Sequence, residues 1–225
     1  VSLTGPAYAA ESGVSFEVNG TSLVTEFATK VENEMTYVSY WPIVQALYPE
    51  AVAVWNNGQA EVTAPGLKLQ SAPGAKYIVA NGRYLYVPDG VKLENGVVLV
   101  PVRTLCQALG AKVVWNGAES VIEITSGSGP IASGDSFYDQ EDLYWLSRII
   151  YAESGNQSLE GKIAVGNVVL NRVASPQFPN SVYSVIFQRN QFTPASNGRI
   201  NRTPTAECVI AAKLAMEGTN TAGNA

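Results

Sequence analysis

The chain has 225 residues, 46% hydrophobic and 15% charged, which suits one large or two small domains and a globular rather than an intrinsically disordered chain. The net charge is -5, with 7 Lys/Arg against 12 Asp/Glu in residues 1–137 and 7 of each in 138–225, so no basic stripe offers itself to nucleic acid. There is no histidine, which removes His-ligated zinc and Ser-His or Cys-His catalysis, and no run of 18 apolar residues to span a membrane.

Near the start, Pro6-Ala7-Tyr8-Ala9-Ala10 fits the small-residue end of a signal peptide, but the charged and apolar parts of an export signal are not present in this chain; a secreted or wall-associated protein is expected, with that signal already removed. An internal repeat follows. Val18-Asn19-Gly20 recurs as Ala80-Asn81-Gly82, Tyr37-Val38 as Leu99-Val100, and Gln45-Ala46-Leu47 as Gln107-Ala108-Leu109, all offset by 62. Val54-Trp55-Asn56 recurs as Val114-Trp115-Asn116 at an offset of 60. Constant offsets signal duplication. Each copy reads strand, Asn-Gly turn, strand, short helix, hairpin. The spacing predicts helices over Pro42–Leu47 and Val102–Leu109. The copies, about 14–64 and 76–125, are expected to form two similar lobes with Trp55 and Trp115 in equivalent, core-packed positions. Cys106 and Cys208 are expected as buried free thiols.

The segment VLVPVRTLCQALGAKVVWN resembles the repeat of the copper amine oxidase N-terminal-like domain. The resemblance implies an accessory domain over 1–125 with a wall or protein ligand. With no histidine in the chain and one cysteine in this half, no metal or cofactor is expected. Residues 126–137, which include SGSGPIASGDS, read as a linker without an apolar face.

The second half, 138–225, is helical. Leu143, Leu146, Ile149 and Ile150 recur at spacings of three and four behind Asp139 as N-cap. Ser154–Ser158 breaks that helix, and Ser158 caps the next, which carries Ile163, Val165, Val168, Val169 and Val173. A short helix follows Ser181, then a polar loop over 188–201. A last helix opens at Thr203-Pro204 and stops at Gly218. Glu153 falls where the first helix gives way to the turn. Partial apolar shielding there favours the protonated carboxyl, the form a general acid needs. Exposure at a helix end is the plainer alternative.

YAESGNQSLEGKIAVGNVVLNRV, with FPNSVYSVIF and QFT, resembles the SleB/CwlJ-type cell-wall hydrolases, the spore-cortex-lytic enzymes. The resemblance implies an α+β protein whose duplicated accessory domain precedes a mainly helical, lysozyme-like catalytic domain. It implies Glu153 as the catalytic residue. Tyr151, Asn171, Gln191, Phe192 and Thr193 are implied to bind peptidoglycan glycan strands. Gln157 stands where the family often has a second glutamate. The chain also stops at Gly223-Asn224-Ala225, where the family runs on, so the domain is expected to be C-terminally incomplete. The implied reaction cleaves the strand after N-acetylmuramic acid, as a lytic transglycosylase forming 1,6-anhydromuramic ends. A non-catalytic wall-binding or germination-partner protein is the rival reading. A wall amidase is disfavoured because zinc ligands are lacking.

Overall fold

Asn19-Gly20 and Asn81-Gly82 take the chain through left-handed backbone, with φ of 52° and 74° at the first pair and 51° and 79° at the second. Those angles set type I′ hairpin turns. The computed structural model describes residues 14–23 and 29–222, so the expectations for Pro6–Ala10 and for 223–225 lie outside the described residues. The chain divides into two units, Val1–Ser133 and Gly134–Ala225.

In the first unit, copy one supplies β1 (Ser15–Val18), β2 (Thr21–Ser22), β3 (Thr29–Glu32), β4 (Met35–Ser39), α1 (Tyr40–Leu47), β5 (Val52–Asn56) and β6 (Gln59–Ala64). A connecting strand follows, β7 (Leu67–Ser71). Copy two then supplies β8 (Tyr77–Ala80), β9 (Arg83–Tyr86), β10 (Lys92–Glu94), β11 (Val97–Pro101), α2 (Val102–Ala108), β12 (Lys112–Asn116) and β13 (Val121–Thr125).

The copies do not form separate lobes, which corrects the expectation. Every sheet mixes them: the orders are β12-β13-β1-β2, β10-β11-β4-β3 and β5-β6-β7-β8-β9. In the first sheet β13 of copy two lies parallel to β1 of copy one, Ser15 opposite Val121. The third sheet is its counterpart, with β7 inserted between β6 and β8. In the middle sheet Val38 faces Val100, flanked by Tyr37–Pro101 and Ser39–Leu99. At the offset of 62 these pairs exchange into one another, so a pseudo-two-fold axis passes between Val38 and Val100. Tyr37, Val38, Leu99, Val100, Leu105 and Cys106 fill the shared core.

The tryptophans match in position but not in burial. Each is the fourth residue of its strand, β5 or β12. Trp55 packs partly against the core, whereas Trp115 is 50% exposed. Both β12 and β5 are edge strands, so edge position does not account for the difference. Much of the expected linker is also held. The Asn19 side-chain oxygen accepts from the Ser126 amide at 2.9 Å, and the Asn81 amide donates to the Ile131 carbonyl at 2.8 Å.

The second unit holds α3 (Gly134–Phe137), α4 (Gln140–Ser154), α5 (Leu159–Ala174), α6 (Val182–Ile186), α7 (Thr193–Ser196), a 3₁₀ turn (Arg199–Asn201) and α8 (Ala206–Met216). The α+β class therefore holds for the whole chain. Asp139 caps α4, accepting from the Glu141 and Asp142 amides. Ser158 caps α5 through the Gly161 amide, and Ser181 caps α6 through Ser184. Two details differ from expectation. The last helix starts after Thr205, whose hydroxyl accepts from Cys208, and the polar loop contains α7 and the 3₁₀ turn. Leu146, Ile149, Ile150, Ile163, Val169, Ala211, Ala212 and Leu214 are buried, so α4, α5 and α8 share one core.

Candidate functional site

The last turn of α4 is tied down before the chain leaves it. The Ser154 hydroxyl donates back to the Ile150 carbonyl at 2.8 Å, and the Gln157 amide closes on the Ser154 carbonyl at 2.8 Å. Gly155 is needed there, because a Cβ would stand 2.8 Å from the Tyr151 carbonyl and 3.2 Å from its ring. Glu153 rides on this turn and is exposed. It lines a cleft of about 300 Å³ with Tyr151, Asn156, Gln157, Arg199 and Arg202. The apolar shielding expected for its carboxyl is not there. Its surroundings are a polar turn and two guanidinium groups.

Two further contacts fix this corner. Arg199 donates to the Ala152 carbonyl at 2.9 Å, joining the 3₁₀ turn to the end of α4. Lys162, in the first turn of α5, is 3% exposed. Its ammonium donates to the Gln157 carbonyl at 2.6 Å and also to the Glu207 carboxylate on α8. Sequence reasoning missed Lys162, Glu207, Arg199 and Arg202 as parts of the site. A lysine four residues after the Ser158 cap was the only local signal, since the other contacts are tertiary.

Of the other expected site residues, Phe192, Thr193, Gln191 and Asn171 do not line the Glu153 cleft. Phe192 and Thr193 line a second cleft of about 400 Å³ with Phe187, Gln188, Arg189 and Asn190. The Arg172 guanidinium lies 5.1 Å from the Phe192 ring centre and 5.3 Å from that of Phe178. Gln191 is exposed in the turn before Phe192. Asn171 is exposed on α5, twelve residues past Leu159 and so roughly 18 Å along the helix from its first turn. Tyr151 alone of the expected binding residues shares the Glu153 cleft. Above the second cleft, Trp145 meets Tyr183 at 5.3 Å and Phe187 at 5.2 Å.

The charges around α4 are uneven. Asp142 is held above the ordinary aspartate range by burial first, then by the carboxylates of Asp139 and Glu141, against a backbone hydrogen bond from Val182. Among the described residues lining the Glu153 cleft, Glu153 is the only carboxylate. The first unit does not fit a copper ion. It offers no histidine, and its cysteine, Cys106, is buried in the core with its thiol pushed up to about 12.

Comparison with known proteins agrees with this division. Residues 17–126 match the copper amine oxidase N-terminal domain, and residues 156–225 match the Cell Wall Hydrolase family, a match that begins three residues after Glu153. A spore cortex-lytic enzyme of Bacillus cereus is 39% identical over 88 residues, covering 39% of this chain and 34% of that protein. The spore cortex-lytic enzyme of Oceanobacillus iheyensis is 33% identical over 100 residues, 44% of this chain and 36% of the other. The chain thus spans about a third of the length of these curated relatives. Among solved structures, the catalytic domain of the germination-specific lytic transglycosylase SleB from Bacillus anthracis is 37% identical. That alignment covers 42% of this chain and 75% of that one, with a TM-score of 0.38. The chain therefore carries a segment similar to the copper amine oxidase N-terminal domain, residues 17–126, followed by a segment similar to the Cell Wall Hydrolase family, residues 156–225.

Proposed function

We propose that the protein cleaves the glycan strand of peptidoglycan after N-acetylmuramic acid, outside the cytoplasm, as a lytic transglycosylase. The observation that carries this reading is the single carboxylate, Glu153, in an open polar cleft beside a cell wall hydrolase segment. Two-carboxylate glycosidases need a second acidic group roughly 5–9.5 Å away to act as nucleophile or to activate water. With one carboxylate, Glu153 protonates the glycosidic oxygen and the C1–O bond breaks. An oxocarbenium-like transition state follows. The Glu153 carboxylate then takes the proton of the sugar's own 6-hydroxyl as that oxygen bonds to C1. The 1,6-anhydro ring closes and no water is consumed.

A seated sugar displaces solvent from the cleft around Glu153. Arg199 and Arg202 complement the lactyl and stem-peptide carboxylates of the wall polymer. Lys162 keeps the Gln157 turn in place, so the cleft is preorganised. Phe192 and Thr193 bind the strand further along, in the second cleft.

Digestion of purified sacculi in ¹⁸O-labelled water tests the chemistry. The expected products carry anhydromuramic ends without label, and Glu153→Gln yields none. Labelled reducing muramic ends identify hydrolysis instead. Equal clearing by wild type and Glu153→Gln removes Glu153 from the mechanism, and no clearing by either favours the non-catalytic wall-binding reading.

A further inference from the structure

The first unit contains a cleft of about 520 Å³ that the proposed reaction does not use. Val113 and Trp115 project into it from one face of β12, beside Ile122 of β13. Val31 forms part of the wall and is 60% exposed, and Trp115 is 50% exposed. Two charged residues complete the lining, Glu34 from the β3–β4 turn and Arg103 from the start of α2. The duplication supplies an internal comparison. At the offset of 62, Glu34 stands where copy two has Gly96, and Arg103 stands where copy one has Trp41.

Glu34 occupies the same left-handed backbone as that glycine, φ 63° against 83°. A glutamate is strained in this conformation, where glycine is not. The pseudo-symmetric fold therefore tolerates an unfavourable residue at a turn where its own other copy keeps the favourable one. Gly117 adds a third feature. A Cβ there would stand 3.3 Å from the Trp115 indole nitrogen, so the missing side chain leaves room for the ring.

We infer that this cleft binds a wall glycan strand, holding it non-catalytically. A pyranose face stacks on Trp115 as apolar C–H groups against an indole, and N-acetyl methyl groups find Val31 and Ile122. The Glu34 carboxylate accepts from sugar hydroxyls, and Arg103 pairs with lactyl or stem-peptide carboxylates. A purely apolar peptide would leave both charges idle. The choice of a wall polymer rests on the proposed function, but the site does not depend on Glu153.

The test is co-sedimentation of the full chain with purified sacculi, run beside cleavage of short soluble glycan fragments. Trp115→Ala is expected to weaken sacculus binding about tenfold, as loss of an aromatic anchor does, with fragment cleavage unchanged. Arg103→Gln is expected to weaken binding by a smaller factor, and near-ultraviolet circular dichroism checks that both variants fold. Undiminished binding by both variants, or no binding by the wild type, overturns the inference. Binding lost when sacculi are stripped of attached protein assigns the cleft to a protein partner and also overturns it. Trp115-dependent binding by a chain that cleaves nothing upholds the cleft while removing the proposed enzyme.

Discussion

Lys162 and Glu207 are paired across two helices, the lysine 3% exposed and the glutamate 56% exposed at its side chain. The same ammonium holds the Gln157 carbonyl, so one cation couples α8 to the turn that follows Glu153. Lys162→Met keeps the buried stem but frees that carbonyl. The expected cost is about 1–3 kcal/mol of stability, with sacculus clearing slowed at least about tenfold because the turn is no longer fixed. Glu207→Gln retains a weaker partner and should cost about 1 kcal/mol or less, since its carboxylate is well solvated. Chemical denaturation with a clearing assay measures both, and equal activity of all three proteins would disprove the positioning role.

Arg199 reaches the end of α4 through the Ala152 carbonyl. Arg199→Ala should lose about 1 kcal/mol of stability and proportionately more activity, at least roughly tenfold, because the cleft loses both a strut and a charge. Rescue by Arg199→Lys should be partial, as an ammonium lacks the fork geometry. Full rescue would show that charge alone matters.

Gly166 lies inside α5 where the three main helices meet. A Cβ at that position would stand 2.9 Å from the Ala215 Cβ on α8 and 3.2 Å from the Ile150 side chain on α4. Gly166→Ala gains helix propensity yet must push these helices apart, with an expected net loss of about 1–3 kcal/mol. An unchanged or raised melting temperature would show that the helices yield freely.

Asp142 makes stability depend on pH with a definite sign. Its pKa is raised above the ordinary 3.8, so the folded protein binds that proton more tightly than the unfolded chain. Stability falls as pH rises from about 3.8 through the raised value, and the penalty is complete above it. Asp142→Asn keeps an acceptor for the Val182 amide and removes the charge. The variant should melt higher than wild type at pH 7, with the gap closing below about pH 4. A gap of the same size at both pH values contradicts the assignment.

What could be read from the sequence was local. Asp139 before an apolar three–four rhythm marked α4, and Ser158 marked α5, because a cap and a helical face are both written within a few residues. The repeat offsets marked the Asn-Gly turns and the hairpin after each helix, but β3, β10 and the connecting strand β7 were not read. What escaped depended on distant partners. Nothing near Ser15 says that it will lie beside Val121, and nothing near Trp115 says that its indole will be more exposed than that of Trp55. The Glu153 turn was legible, and of the two readings of its carboxyl the plainer one, exposure at a helix end, is what the structure shows. That depends on Arg199 and Arg202, about fifty residues further on, supplying a charged wall where an apolar one was expected.

The exchanged strands have a consequence for how such a unit could arise. A single copy cut out at residues 14–64 keeps its β5–β6 hairpin and its β1–β2 pair but has no strand to lay beside β1. A second identical copy supplies one, related by the axis between Val38 and Val100, and receives the same in return. That is a closed, self-complementary pair, the commonest symmetry of soluble oligomers. The duplicated unit thus has the form of a homodimer whose two subunits have been fused head to tail. The segment 65–75, with β7, bridges the end of one ancestral subunit and the start of the next.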